Sequence, residues 1–248
     1  MTKRIALVTG GTGGIGSAIC KKLADDGYQV IAGYYSGGKH EKAQKFQEDM
    51  AKDGYEIALA FGNITDWDSC EACVEGIKSD FGTIDVLVNN GGITRDSTLK
   101  KMSQDQWVDV INTDLTSVFY MTRMVVNDMI NQGYGRIINI SSVNGEKGQF
   151  GQANYSAAKA GMHGFTKAVA QEVASKGVTV NTISPGYIAT SMIMEVPEEI
   201  REGIRKGIPV GRFGTPEDIA RVVSFLAHED AGFITGTNVS ANGGQYMH

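Results

Sequence analysis

Short apolar runs alternate with amphipathic stretches along almost the entire chain. The apolar runs predict strands at residues 4–9, 28–34, 55–61, 84–88, 135–141, 178–184 and 237–241. Helical periodicity between them predicts helices at residues 14–27, 39–53, 66–80, 103–132, 153–174 and 217–227. Strands and helices that alternate in this way pair into a parallel sheet covered by helices on both faces. The pattern therefore predicts an α/β fold with a doubly wound parallel sheet of about seven strands.

Residues 191–214 are the least regular part of the chain and are rich in Met, Glu and Gly. We expect this stretch to form a helical lid over the substrate, although a plain surface excursion would have the same composition. No linker, repeat or low-complexity segment divides residues 1–248. The chain is therefore expected to form a single domain.

The net charge of −5 over 248 residues argues against nucleic acid or an anionic membrane surface as a partner. No apolar run approaches the roughly 18 residues of a membrane span. The basic residues near the amino terminus precede only the apolar run 5–8, which is too short for the core of a signal peptide. A cytoplasmic protein is therefore expected.

The three cysteines are too few and too scattered for a disulfide framework. Cys70 and Cys73 form a C-x-x-C pair on a predicted helix. No second pair and no histidine cluster stands near them, so burial is favoured over metal or redox use. The four histidines show no metal-ligand spacing, and no metal is expected.

A glycine-rich turn, Thr9-Gly-Gly-Thr-Gly-Gly-Ile-Gly16, joins the first predicted strand to the first predicted helix. Such glycines let the backbone turn tightly around a pyrophosphate, and the following helix offers free N–H groups and the positive end of its dipole. The spacing from Gly11 to Gly16 also suits a nucleotide triphosphate loop, but Ser17 stands where that loop needs a lysine. A dinucleotide site is therefore predicted. Its expected contacts here are Gly10, Gly13, Gly14, Ile15 and Gly16.

The end of the second predicted strand bears on the choice between NADP and NAD. A carboxylate there usually holds the ribose hydroxyls of NAD. Residues 32–40 contain no carboxylate, and Glu41 is the first to follow. Because nothing in this stretch would repel a 2′-phosphate, we expect NADPH, with NADH as second choice. The expected contacts are Tyr35, Ser36, Lys39 and His40, although Lys39 could equally be an ordinary solvated charge.

The most informative stretch runs from Ser142, at the end of a predicted strand, to Lys159, on the helix that follows. Tyr155 and Lys159 are four residues apart, so they share one helix face about 6 Å apart along its axis. A fixed cation favours the phenolate form of a nearby tyrosine, which can then exchange a proton with a substrate oxygen near neutral pH. Ser142 can hydrogen-bond the same oxygen. Taken alone, such a pair is more often a solvated tyrosine packed beneath a lysine stem.

Two further strand ends carry small residues or a sharp turn. Asn89-Asn-Gly-Gly92 follows the fourth strand, where small residues would let the backbone approach a cofactor, although a simple turn would have the same composition. Pro185-Gly-Tyr-Ile-Ala-Thr190 follows the sixth strand as a loop that could cover the cofactor. Both loops leave the carboxyl edge of the sheet, where open α/β sheets bind ligands.

Together these motifs make the chain resemble the short-chain dehydrogenase/reductase family over essentially its whole length. The family's glycine motif matches residues 9–16, and its Asn-Asn-Ala-Gly motif matches residues 89–92, with Gly91 in place of the usual alanine. Ser142 and Tyr155 show the family's spacing of thirteen residues. The resemblance implies a single Rossmann-like domain that binds the dinucleotide and carries the catalytic residues.

The resemblance also implies hydride transfer from a nicotinamide ring to a substrate carbonyl. Tyr155 would be the general acid in reduction, and Ser142 would polarise the carbonyl oxygen. Lys159 would hold the nicotinamide ribose, and Asn112 would fix a water that relays protons to Lys159. The cofactor contacts implied beside Tyr155 and Lys159 are Gly62, Asn63, Ile64, Asn90, Gly91, Gly92, Pro185, Gly186, Ile188 and Thr190.

Within the family, residues 92–96 and 141–152 are similar to those of bacterial acetoacetyl-CoA reductases. This similarity implies the NADPH-dependent reduction of short 3-oxoacyl-CoA thioesters to (R)-3-hydroxyacyl-CoA by a homotetramer, which would supply polyhydroxyalkanoate synthesis. Phe150 is equally suited to plain packing. The implied substrate contacts are Asp96, Ser142, Gln149, Phe150, Gln152 and Tyr187.

Two alternatives stay open. One is a 3-oxoacyl carrier-protein reductase. Such enzymes tend to carry basic residues just before the fifth strand, where this chain has the uncharged Asn131-Gln-Gly-Tyr134, although Lys176 remains. The other is a non-catalytic module that binds NAD(P) for regulation, which would need the glycine turn but not the proton-transfer residues.

Overall fold

The computed structural model describes residues 3–35 and 37–247, and at positions 191 and 192 it describes the backbone alone. Ser36, one of the residues expected to contact a 2′-phosphate, therefore lies outside the described residues. Across the described ranges, every helix falls short of the combined length and apolar character that a membrane span needs.

Strands and helices alternate as the hydrophobic pattern predicts. The strands are β1 (Ile5–Val8), β2 (Gln29–Tyr34), β3 (Ile57–Phe61), β4 (Ile84–Asn89), β5 (Gly135–Ile140), β6 (Val178–Pro185) and β7 (Asn238–Ala241). The helices are α1 (Gly14–Asp25), α2 (Glu41–Lys52), α3 (Trp67–Phe81), α4 (Gln104–Ile111), α5 (Ser117–Gln132), α6 (Val143–Lys147), α7 (Ala153–Val173), α8 (Ser191–Met194), α9 (Glu198–Lys206) and α10 (Pro216–Ala227). Two 3₁₀ turns follow α7 and α10, at Ala174–Lys176 and Glu229–Phe233.

The strands form one parallel sheet in the order β3-β2-β1-β4-β5-β6-β7, which confirms the predicted doubly wound fold. The chain moves outward from β1 to β3 and then returns to place β4 on the other side of β1. Such a switch point opens a crevice outside the carboxyl ends of the strands. The glycine turn after β1 and the loop after β4 border this crevice.

Alternate side chains of each strand enter two apolar layers, one on each face of the sheet. Ala6 and Val8 of β1 face a layer covered by α1 and α10, whereas Ile5 and Leu7 face a layer covered by α3, α5 and α7. Burying one such side chain stabilises the fold by about 1.5–3 kcal/mol relative to leaving it exposed. Both faces of the sheet are therefore held by helices, and only the strand ends are left for a ligand.

The predicted helix at residues 103–132 is interrupted. A π-helical turn, Asn112–Thr116, separates α4 from α5. A π turn inserts one extra residue into the helical ladder, so it rotates the side chains on its two sides relative to each other. Such turns occur mostly at functional sites, and this one lies beside the crevice.

A chain of buried polar groups crosses the sheet near its carboxyl edge. The Asn89 amide donates to the Asn139 side-chain oxygen at 2.9 Å, and the Asn139 amide donates to the Thr166 hydroxyl at 2.9 Å. The Thr182 hydroxyl donates to the same Thr166 oxygen at 2.8 Å. Buried polar groups that are all satisfied fix one arrangement of the strands and of α7.

Residues 191–214 form α8 and α9 and a connection back to the sheet. No residue of α9 is buried, and Ile200 is 56% exposed. The connection is tied down after α9, because Val210 N–H donates to the Gly243 carbonyl and Gly214 N–H donates to the Tyr187 carbonyl. The segment is thus helical up to Lys206, and its role as a lid stays a prediction.

Candidate active site

Two glycines of the turn after β1 are packed too closely for any larger residue. A Cβ at Gly16 would lie 2.2 Å from the Gly10 carbonyl oxygen, and one at Gly11 would lie 2.8 Å from Ala32. Gly10 has φ of 62°, a left-handed conformation that glycine adopts freely. The N-cap of α1 is Gly13, whose missing side chain leaves the first N–H groups of the helix open to the crevice.

Thr9 joins this turn to the loop after β4. Its hydroxyl accepts hydrogen bonds from the N–H groups of Asn90 and Gly91, each at 3.0 Å. In return, the Asn90 side-chain amide donates to the carbonyls of Thr9 at 3.0 Å and Gly10 at 3.2 Å. The two loops on either side of the switch point are therefore held as one rigid unit.

Two adjoining cavities lie along this crevice, with volumes of about 410 and 570 Å³. They share the wall formed by Gly10, Tyr35, Gly91 and Gly92. The smaller cavity brings together Gly62, Asn63 and Ile64, three of the expected cofactor contacts. The larger cavity brings together Gly13, Gly14, Ile15, Gly16, Asn90, Ser142, Gln152, Tyr155, Lys159, Pro185, Gly186, Tyr187, Ile188 and Thr190.

Lys159 is 3% exposed and is held from two sides. Its ammonium donates to the Ile140 carbonyl at 3.0 Å and lies 3.2 Å from Oδ2 of Asp114, which is itself 0% exposed. Burial acts to lower the pKa of Lys159, but the charges of Asp114 and Tyr155 outweigh it, so the pKa of the ammonium is raised. Lys159 is thus a cation over the working pH range.

Tyr155 and Ser142 face the same cavity as Lys159. The Lys159 nitrogen lies 5.4 Å from the centre of the Tyr155 ring, one helical turn away, as their spacing predicts. Ser142 is the N-cap of α6, and its hydroxyl accepts a hydrogen bond from Asn144 N–H at 3.1 Å. A Cβ at Gly145 would lie 2.8 Å from the Lys159 backbone, so this glycine lets α6 pack directly on α7.

A polar chain runs from Asn144 across the mouth of the larger cavity. The Asn144 amide donates to the Gln152 side-chain oxygen at 2.9 Å, and the Gln152 amide donates to both carboxylate oxygens of Asp96, at 3.0 and 2.9 Å. Tyr187 lines the cavity nearby, and burial together with the negative charge of Asp96 raises the pKa of its phenol. The polar chain fixes amide and carboxylate groups where a substrate would enter.

One sequence assignment is wrong. Asn112 was expected to act on Lys159, but its side chain is exposed and accepts a hydrogen bond from the Thr116 hydroxyl at 3.4 Å. Asp114 is the side chain from this segment that reaches Lys159, because the π turn directs it inward. A signal was present in the sequence, since Asp114 falls in helical phase with the buried apolar residues Val110 and Val118.

Four other predicted residues line neither cavity. Gln149 and Phe150 are exposed and line a separate shallow pocket with Leu99, and Phe150 is 86% exposed. Lys39 and His40 are exposed beyond the end of β2. The His40 ring shares a hydrogen bond of 2.7 Å with the Tyr34 hydroxyl, which fixes it near the shared wall.

The cysteines are buried or half-buried thiols. Burial raises the pKa of Cys70 to about 12 and that of Cys73 to about 11, so both stay protonated and poorly reactive. Both line the smaller cavity, a placement that their spacing did not indicate. Among the described residues, no group of three His, Cys, Asp or Glu side chains is arranged to hold a metal ion.

The residues present fit a nicotinamide dinucleotide. The glycine turn forms a cradle that a Cβ at Gly16 would fill, and it presents the open N-terminus of α1 to a pyrophosphate. The two cavities continue from this cradle to either side, toward Asn63 and toward Tyr155. Such a group would be held by backbone N–H groups and by the Lys159 ammonium.

Comparison with known proteins agrees with this geometry. Residues 4–201 match the family model described as short chain dehydrogenase. The chain is 52% identical to the acetoacetyl-CoA reductase of Cupriavidus necator over 247 residues, which cover all of both proteins. It is 54% identical to the acetoacetyl-CoA reductase of Rhizobium meliloti over 250 residues, 98% of this chain and 99% of the relative. It is 46% identical to a 3-oxoacyl-(acyl-carrier-protein) reductase of Haemophilus influenzae over 247 residues, again all of both.

Proposed function

The chain belongs to the short-chain dehydrogenase family, and from this membership we propose that it reduces acetoacetyl-CoA to (R)-3-hydroxybutyryl-CoA with NADPH. The observation that carries the proposal is the shared cavity in which Ser142, Tyr155 and buried Lys159 face one space beside the glycine cradle. Full-length relatives named acetoacetyl-CoA reductase support the choice of substrate. A 3-hydroxyacyl-CoA of this kind would suit polyhydroxyalkanoate synthesis.

The proposed chemistry assigns a distinct task to each side chain. When bound, the nicotinamide supplies the hydride. Tyr155 donates its phenolic proton to the carbonyl oxygen of the substrate, and Ser142 donates a hydrogen bond to the same oxygen. Lys159 stabilises the phenolate left behind, because a hydrogen bond to the Ile140 carbonyl holds its ammonium beside the Tyr155 ring. General acid catalysis of this kind contributes roughly 10²–10⁴-fold to the rate.

NADPH is proposed over NADH on the basis of charge. Residues 33–40 contain Lys39 and His40 and no carboxylate, so a 2′-phosphate would meet only neutral or positive groups. Tyr34 holds the His40 ring at the end of β2, and Tyr35 lines both cavities. A charge-assisted hydrogen bond to phosphate is worth about 1.5–3 kcal/mol, so a preference of at least about tenfold is expected.

The polar chain through Gln152 supports a thioester substrate. Its amide and carboxylate groups line the way from the surface to Tyr155, where the acyl carbonyl and the CoA arm would pass. The relative of Haemophilus influenzae favours a second candidate, the corresponding ester on a carrier protein. The uncharged residues 131–134 offer no basic patch for an acidic carrier, so the CoA ester is preferred.

Steady-state kinetics test the proposal directly. The oxidation of NADPH and of NADH is followed with acetoacetyl-CoA, longer 3-oxoacyl-CoA thioesters and the carrier-bound ester. We expect the highest kcat/KM with NADPH and acetoacetyl-CoA. A strong preference for the carrier-bound ester would favour the second candidate. The absence of turnover on every thioester, with NADPH still bound, would mean that the fold serves binding alone.

We also propose a homotetramer in the cytoplasm with a lid at residues 191–214. Exposed aromatic side chains on the outer helices, among them Phe119 and Phe225, offer apolar surface for contacts between copies. Three unpaired cysteines suit a reducing compartment. The lid is supported by α9, which buries no residue, and by Ile193, which lines the larger cavity. Light scattering measures the oligomeric state.

A further inference from the structure

The mechanism proposed above uses the ammonium of Lys159 but not the carboxylate beside it. Asp114 and Lys159 form a buried pair at the wall of the larger cavity, with Oδ2 and Nζ 3.2 Å apart. We infer that Asp114 is a positioning residue whose ionised carboxylate fixes the Lys159 ammonium and offsets its charge, and thereby sets the pH range in which Tyr155 exchanges its proton. The inference rests on the proposed function, because it concerns the same proton transfer.

The contacts of Asp114 suit an ionised carboxylate. Oδ1 accepts a hydrogen bond from Ile93 N–H at 2.8 Å, and Oδ2 faces the Lys159 ammonium. Oδ1 therefore accepts from a donor, whereas Oδ2 has the Lys159 ammonium as its ion-pair partner and accepts no hydrogen bond from the described residues. Burial raises the pKa of this carboxyl, and the positive charge of Lys159 acts to lower it. A buried ammonium without an opposite charge would be costly, so the pair also accounts for the burial of Lys159.

The backbone of Gly92 closes one side of the pair. A Cβ at Gly92 would lie 2.7 Å from Oδ2 of Asp114 and 3.4 Å from Nζ of Lys159, so Gly92 presses its backbone against both groups. The π turn carries Asp114, and α7 carries Lys159. The loop after β4 closes the third side through Ile93 N–H. The charges are thus fixed by three elements.

The effect on Tyr155 follows from the sum of the nearby charges. A lone ammonium beside a phenol favours its phenolate form, whereas an ammonium paired with a carboxylate does so much less. The ring of Tyr155 lies 5.4 Å from the Lys159 nitrogen, so it senses both members of the pair. The phenol of Tyr187 also lines this cavity, and the exposed carboxylate of Asp96 acts on that phenol. His163 lies behind the wall, against Ser141, and the charges of Glu146 and Lys167 act on it.

Asp114→Asn separates charge from shape, because the amide keeps the size of the side chain and removes the negative charge. We expect the pH profiles of kcat for acetoacetyl-CoA reduction and for the reverse oxidation to move together to lower pH by about one unit. Asp105→Asn is the matched control, since it makes the same charge change on the exposed first turn of α4 and should shift neither profile. Asp114→Glu restores the charge and should return the profiles toward those of the parent protein.

The same shift can be measured without substrate by following phenolate absorbance as the pH is raised. The part of this absorbance that disappears in Tyr155→Phe belongs to Tyr155. Its midpoint is compared between the parent protein and Asp114→Asn. A protein that turns over no thioester would contradict the proposed function and still give this absorbance. Active Asp114→Asn with unmoved profiles and unmoved absorbance would overturn the inference. If Asp114→Asn does not fold, the infrared spectrum of the parent protein shows whether the carboxyl of Asp114 is ionised. A protonated buried carboxylic acid at pH 7 would overturn the inference, and its absence would support it.

Discussion

The Gly16 α-carbon lies so close to the Gly10 carbonyl that a Cβ at position 16 would be 2.2 Å from that oxygen. The contact joins the first turn of α1 to the loop that follows β1, and it forces both backbones into one arrangement. The proposed pyrophosphate cradle therefore depends on a missing methyl group, because an oxygen of the backbone cannot move aside as a flexible side chain can.

Gly16→Ala should damage cofactor binding more than it damages the fold. The turn has to move by about 1 Å to admit the methyl group, which should weaken NADPH binding by about tenfold or more and lower the free energy of unfolding by about 1–3 kcal/mol. Fluorescence titration and denaturant unfolding measure the two effects. Gly76→Ala is the control, since a Cβ there meets nothing within 4 Å on the exposed face of α3. It should raise the free energy of unfolding by about 0.5–1 kcal/mol and leave binding unchanged.

Tyr155→Phe should lower kcat at least about 100-fold, because it removes the general acid while keeping the ring beside Lys159. NADPH affinity should change little, since the cradle and Lys159 are intact. Tyr120→Phe makes the same chemical change on α5, where the ring packs edge-on against Trp67, and should leave kcat unaltered. Equal turnover in Tyr155→Phe and the parent protein would rule out the proposed role of Tyr155.

Local periodicity was enough to predict the strands and the pairing of Tyr155 with Lys159. Both depend only on the repeat of a strand or of an α-helix, which is the same in every protein. The choice of Asn112 was wrong, and the same repeat argued against it, because Asp114 and not Asn112 is in helical phase with the buried Val110 and Val118. The repeat could not show that Asp114 contacts Lys159, because that contact depends on how α7 packs beside the π turn.

The contact between Asp96 and Gln152 shows a second reason why sequence reasoning stops short. The two residues are 56 positions apart and meet only because the loops after β4 and β5 leave the same edge of the sheet. Resemblance placed both in the substrate site, but nothing in their spacing indicated that they bond to each other. Contacts of this kind follow from the assembled sheet and not from any local pattern.

Gln152→Leu should weaken the binding of substrate, because it removes the central residue of the polar chain from Asn144 through Gln152 to Asp96. The change leaves the Asp96 carboxylate and the Asn144 amide without their shared partner, and a hydrogen bond to a charged group is worth about 1.5–3 kcal/mol. We expect KM for acetoacetyl-CoA to rise about tenfold. Gln149→Leu alters an exposed glutamine outside the larger cavity and should have a smaller effect. A larger rise in KM for Gln149→Leu than for Gln152→Leu would indicate that the substrate passes near Phe150 instead.

Lys39→Ala should lower kcat/KM for NADPH but not for NADH. If Lys39 contacts the 2′-phosphate, its loss lowers kcat/KM for NADPH by about tenfold and leaves that for NADH unchanged, because NADH has no such phosphate. Lys45→Ala removes an equal charge from the exposed side of α2 and serves as the control. Equal losses for both cofactors, or none, would show that Lys39 is an ordinary solvated charge.

The stability of the fold should fall as the pH is lowered from 7 toward 5, and His163 is one reason. Burial lowers the pKa of its imidazole below the ordinary value of 6.5, although Glu146 acts in the opposite direction. Its Nε2 lies 3.0 Å from the Ser141 hydroxyl, which donates its own proton to the Lys159 carbonyl. The folded state therefore favours neutral His163, while the unfolded chain takes up a proton at about pH 6.5.

The unfolded state thus binds more protons between these two pKa values, so the stabilisation is present above pH 6.5 and is lost as the pH falls toward the folded pKa. His163→Gln keeps a polar group near the position of Nε2 and cannot titrate, so its free energy of unfolding should depend less on pH in this window. His228→Asn is the matched control, because His228 is exposed and its amide replacement can still accept from Asp230 N–H. Chemical unfolding of the three proteins at pH 5, 6 and 7 measures the slopes. Parallel slopes for His163→Gln and the parent protein would contradict the assignment of the slope to His163.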